Sequence, residues 1–258
     1  MFERLQKPFL TVETGEAYQP IRISYELLQP DHINKTLSKL QCIDAKSHGN
    51  SWDIFWRDET DDIHFQSLDS FKKSPNKSFR LGTFVVKDNT LYLNLPSFKR
   101  ACLLIPALHQ LIDPSIARIK NADFLNKVFG LNERLPHGFS EVYDDVELDN
   151  IVHQRIHDYE AAHAKCEEAD SAEEAFKALS AYIQSETQKR LPYAERYGFQ
   201  DVDTNHMDDT YLAFYIFLRS RELVAIRRWF GEAGFTLGDA LDETVEQVFG
   251  GMNIDILE

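Results

Sequence analysis

A chain of 258 residues that is 43% apolar and 12% aromatic has the composition of a folded protein with a full core, which excludes a disordered or fibrous chain. Its formal charge of −14 argues against nucleic-acid phosphates and anionic membranes as partners, since like charges repel at range. No apolar run approaches the roughly 20 residues that span a bilayer. The opening MFERLQKPFLTVE lacks the apolar core of a signal peptide, so the expected location is the cytoplasm.

In chain order, PIRISYELL (20–28) reads as a strand, because Ile21, Ile23 and Tyr25 alternate with polar residues. Asp31 then caps a short helix with Ile33, Leu37 and Leu40 on one face. SWDIFWRD (51–58) alternates again and reads as a strand. The clearest signal lies between Phe79 and Ile112. A strand over 79–87, a turn at Asp88-Asn89-Thr90 and a strand over 91–95 make a hairpin, since Asp and Asn tolerate the positive φ that a tight turn demands. Ser97 caps a following helix, in which Pro106 predicts a kink or a break. Asn121 is read as the cap of one more helix, carrying Phe124, Leu125, Val128 and Phe129 and closed by Gly130.

The Leu135-Pro136-His137-Gly138 stretch is a boundary candidate. Residues 1–140 carry 18 Lys and Arg against 16 Asp and Glu, whereas residues 141–258 carry 10 against 26. Beyond the boundary the pattern is helical. A first helix places Val152, Ile156, Tyr159, His163 and Cys166 on one face. Ser171 with Glu174 forms a capping box for a second helix, ended near Arg190 by Pro192. Asn205 with Asp208 caps a third, over 211–230, whose centre is apolar on nearly every side. Thr236 with Asp239 opens a last helix to about Phe249. The expected fold is therefore α+β. A mainly antiparallel sheet with helices occupies 1–135, and an acidic, all-α region of about four helices occupies 141–258.

No catalytic signature is present: there is no Gly-x-Ser-x-Gly elbow, no phosphate-binding glycine loop, and no cysteine in a catalytic context. The three cysteines fit neither a disulfide framework nor a zinc site. One constellation has metal-ligand residue types. His153, His157, Glu160 and His163 fall within about a third of a helix circumference. Glu160-x-x-His163, with Asp203-x-x-His206 as a second pair, has the spacing that bundle metal sites use. Converging side chains would make a site for Fe, Mn or Zn, and a helical-bundle metalloprotein or metal-dependent enzyme is the alternative expectation. A basic stripe of Lys72, Lys73, Lys77, Arg80, Lys87, Lys99 and Arg100 with Phe79, Phe84 and Tyr92 is the weaker pattern of a single-strand nucleic-acid surface. Arg227, Arg228, Trp229 and Phe230 have the residue types of a contact hot spot.

The preferred expectation, with no cofactor, is a non-catalytic cytoplasmic binding protein. An inhibitor, an immunity-type neutraliser or a subunit of a larger assembly would fit, engaging a basic protein partner through the acidic helical half.

Overall fold

A computed structural model describes residues 8–47, 49–63, 79–136, 145–199 and 207–249. Seven strands form one sheet: β1 (Ile21–Leu27), β2 (Ile43–Ala45), β3 (Ser51–Phe55), β4 (Arg80–Lys87), β5 (Thr90–Leu95), β6 (Ala117–Leu125) and β7 (Ala194–Gly198). Their order is β2-β3-β4-β5-β1-β6-β7, and every neighbouring pair is antiparallel. Among the described residues the helices are α1 (Pro30–Leu37), α2 (Phe98–Leu111), α3 (Asp145–Glu167), α4 (Ala172–Gln188), α5 (Met207–Trp229) and α6 (Leu237–Phe249). This is the expected α+β architecture, with the sheet rooted in the N-terminal half and four helices following it.

Side chains alternate across strands, so the register separates two kinds of row. Trp52, Phe84, Leu93, Ile23, Ala122 and Tyr197 are neighbours on one face. Phe84, Leu93, Ile23 and Ala122 are completely buried there. Phe98, Ala101, Leu104, Ile105 and Leu108 of α2 and Phe214 and Leu218 of α5 share this core. The opposite row runs Asp53, Thr83, Asn94, Arg22, Asp123, Arg196.

The 79–112 stretch behaves as its sequence dictates. Asp88 and Asn89 hold φ of 48° and 60° in the turn, and the Ser97 Oγ accepts from the Arg100 amide at 3.2 Å, capping α2. The helix continues without a break through Pro106. The buried Arg100 guanidinium binds Glu16 at 3.1 Å, Thr14 at 3.0 Å and the Arg80 carbonyl at 2.8 Å, tying the N-terminal loop to the sheet. The central apolar helix is as expected: residues 220–225 of α5 are all buried, so other elements cover every side of it there.

Two segments differ from the expectation. Residues 117–125 form strand β6, not a helix capped by Asn121. The alternation of Ala117, Arg118, Ile119 and Lys120 carries that signal; Phe124 and Leu125, which with Val128 and Phe129 imitate a helical face, belong to the 122–125 part that is buried on both faces. Residues 194–198, within the stretch read as helical, form β7 and pair with 121–125. Five residues with charges at Glu195 and Arg196 resemble no strand in isolation; sheet pairing decides their state.

Gly82 of β4 lies against the end of β5, beside Asn94 and Leu95. A Cβ there would lie 2.4 Å from Leu95 Cδ2 and 2.8 Å from the Asn94 carbonyl. Gly82→Ala is expected to destabilise the protein by about 1–3 kcal/mol, the usual penalty of overpacking, read as a lower urea midpoint with an unchanged slope.

Candidate functional site

β7 organises the helical half. Successive strand residues point to opposite faces, and Glu195 and Arg196 use this to hold α3 from both sides of the sheet. On the polar face, Arg196 binds the buried Asp123 through Nε at 2.6 Å, Asp145 at 2.8 Å, and Asp149. Arg22 reaches the same Asp123 at 2.7 Å and Asp145 at 3.1 Å. On the core face, Glu195 is fully buried and accepts from Arg221 at 2.8 and 3.2 Å, and from Arg155 of α3 and Asn126. Burial opposes ionisation of Glu195, but the Arg221 and Arg155 charges outweigh it and hold the carboxyl below its ordinary 4.5. Burial likewise pulls Arg221 down. A guanidinium retains its proton in proteins, so the pair is ionised. The Arg221 guanidinium also lies 3.3 Å over the Phe217 ring.

α3 therefore rests on the sheet edge through Leu148, Arg155 and two aspartates, and the middle of the stripe predicted to be its inner face is exposed, while its ends, Val152 and Cys166, stay half-buried. Ile156 is 39% and Tyr159 52% exposed. α4 runs back along α3. Tyr159 meets Tyr182 with ring centroids 6.3 Å apart, and Cys166 Sγ donates to the Ala175 carbonyl at 3.4 Å. Ser171 Oγ caps α4 by accepting from the Glu174 amide at 3.2 Å. Yet α4 buries no residue, and Phe176 (72%), Leu179 (40%) and Ile183 (52%) stand exposed at i, i+3 and i+7. At 100° per residue these three share one face of α4, as Ile156, Tyr159 and His163 do on α3. On each helix the stripe lies one residue, about 100°, past positions that meet the other helix (Asp158 on α3, Ala175 and Tyr182 on α4), and in an antiparallel pair that shared offset puts both stripes on the same side of the hairpin. Residues 145–190, which contain it, carry 11 Asp and Glu against 5 Lys and Arg.

The histidine constellation does not converge. His153, His157, Glu160 and His163 are all exposed. His163 Nδ1 is 3.6 Å from Glu167, and His157 Nδ1 is 3.9 Å from Asp158, each a neighbour on the same helix. Asp203 and His206 lie outside the described residues. Among the described residues, no group of three or more His, Cys, Asp or Glu side chains is placed to hold a metal ion. The Arg227–Phe230 stretch is engaged within the chain. Arg227 pairs with Glu232 and Glu243 at 3.3 and 3.2 Å, Trp229 packs 3.1 Å from the position of a Gly130 Cβ, and Phe230 meets Phe9 at 5.9 Å. Arg228 is half-buried.

Two members of the basic stripe are interior, since Phe84 and Arg100 are 0% and 1% exposed. Lys72, Lys73 and Lys77 lie outside the described residues. Burial, with help from Glu59, pushes the Cys42 thiol up to about 12, and burial raises Cys102 as well; neither is a thiolate at neutral pH. No described helix is long and apolar enough to cross a membrane.

The sequence reading missed the working parts of this arrangement: Glu195, Arg155 and the Asp123 cluster, which become neighbours only in three dimensions. The α4 stripe was available to it, because Phe176, Leu179 and Ile183 have amphipathic spacing within the capped helix. No family model, curated protein or solved structure matches the chain.

Proposed function

We propose that this chain is a protein-binding module whose α3–α4 hairpin docks a partner carrying apolar side chains ringed by Lys and Arg, as an inhibitor, an immunity-type neutraliser or an assembly subunit would. One observation carries the reading. Helix α4 buries none of its residues yet presents Phe176, Leu179 and Ile183 to water. A contiguous exposed apolar stripe with polar flanks is the mark of a surface that is covered in use. The acidic excess of 145–190 gives the partner's sign, because opposite charge at the rim speeds encounter and sets orientation, and like charge opposes a second copy of the same face.

Photo-crosslinking tests this. A photoreactive residue placed at Phe176 or Ile183 is expected to trap a basic protein from the cells that make this chain, and one at Gln184, on the polar side of α4, is expected to trap none. Yield should fall as salt rises and vanish when Phe176→Glu accompanies the Ile183 probe. Equal yields from Gln184, or no adduct from either apolar position, would refute the reading.

A further inference from the structure

The shape and backbone chemistry of the hairpin deepen that reading, and the inference rests on it. We infer that the partner element seated on α3–α4 is a basic amphipathic α-helix. The two stripes lie on one side of two packed antiparallel helices, so they flank the groove between them. Ile156 to His163 and Phe176 to Ile183 each cover eight residues, seven steps along the axis, or roughly 10 Å of helix. The groove is therefore matched by two to three turns of a third helix with apolar residues at i, i+3, i+4 and i+7.

Backbone hydrogen bonding selects a helix over an extended segment. Along both stripes the walls are helical, so their main-chain N–H and C=O groups are already paired within each helix. An extended segment laid there would find no sheet edge to pair with, and its own buried amides would be left unsatisfied. A helix arrives with those bonds made. The flanks of the groove complete the specification. Glu160, Glu167 and Glu173 stand exposed beside the two stripes, so the polar side of the incoming helix carries Lys and Arg. His163, exposed in the α3 stripe, lies at the edge of the contact.

Fluorescence anisotropy with designed peptides tests this on the full chain. One labelled peptide of about 14 residues has Leu and Lys at helical spacing. A second has the same composition in strict alternation, and a third replaces Lys with Glu. The helical Leu/Lys peptide is expected to bind at least about tenfold more tightly than either of the others, to gain helical circular dichroism on binding, and to lose about tenfold or more in affinity to Phe176→Glu/Ile183→Glu. Both positions are exposed, so that variant keeps its fold, checked by an unchanged melting temperature. If the alternating peptide binds equally well and the variant abolishes both, the helix is overturned and the docking face stands. If the double variant leaves affinity unchanged, the peptide is held elsewhere and the inference fails. If no peptide binds while the crosslinks of the preceding section form, the partner meets the hairpin by some other structure and the helix is again overturned.

Discussion

Glu195→Ala is expected to cost about 3–5 kcal/mol of stability, the penalty for leaving a buried charge without its partner. Arg221, at 6% exposure, would keep its guanidinium inside α5 facing an emptied space. Arg155 and Asn126 would lose their acceptor at the same time. Arg155→Ala should cost far less, because that side chain is about one-third exposed and water replaces its bond. A double variant, Glu195→Leu with Arg221→Met, removes both charges together and should regain most of the loss. Urea titrations of the wild type and the three variants measure these losses. A Glu195→Ala loss below about 1 kcal/mol would mean that water reaches Arg221.

The same carboxyl sets an acid limit. Its folded value lies below its ordinary 4.5, so ionised Glu195 contributes stability that is fully present above that ordinary value. The contribution is lost as pH falls toward the folded value. Wild-type stability should therefore drop below about pH 4.5, and Glu195→Gln, which cannot titrate, should show a flatter acid limb from a lower plateau.

Asp123→Ala is the second large effect expected, at about 2–4 kcal/mol. Asp123 is 1% exposed and receives both Arg22 and Arg196. Without it, two guanidiniums would face each other across β1, β6 and β7, and the carboxylates Asp145 and Asp149 that pair with them are exposed. The loss is smaller than at Glu195 because those aspartates remain. The discriminating measurement is hydrogen exchange: amides in the first turns of α3 should lose protection well before those of β1 and β5, since Asp145 and Asp149 are held by the arginines that Asp123 positions.

How much of this was legible beforehand depends on how local each cause is. The 79–112 hairpin and helix were readable because their causes lie within a few residues: Asp88 and Asn89 for positive φ, Ser97 for the cap. The boxes at Ser171/Glu174 and Thr236/Asp239 were readable for the same reason, and the second closes with the Thr236 amide donating to Asp239 at 2.8 Å. β6 was misread because Phe124, Leu125, Val128 and Phe129 recur at helical spacing, a pattern that a strand followed by a loop can also produce. β7 was invisible because five residues acquire strand geometry only by pairing with 121–125. The inner face of α3 was misassigned for a related reason. Periodicity ranks faces by hydrophobicity, but the neighbour of α3 is a charged strand, so Arg155 turns inward and Ile156 and Tyr159 turn out. The histidine spacing gives a shared face on α3, but spacing cannot place the second pair, Asp203 and His206, beside it.

The order in which the chain leaves the ribosome meets an obstacle in the sheet. β6 ends at Leu125 and β7 begins at Ala194, with α3 and α4 between them. The first six strands therefore emerge together, while the outer margin of β6 has no mate until synthesis has passed through α3 and α4 to β7. A bare strand margin invites pairing with other nascent chains. Closing a contact so distant along the chain is slow. Arg196 and Glu195 arrive with β7, so one late event seals that margin and seats the helical hairpin.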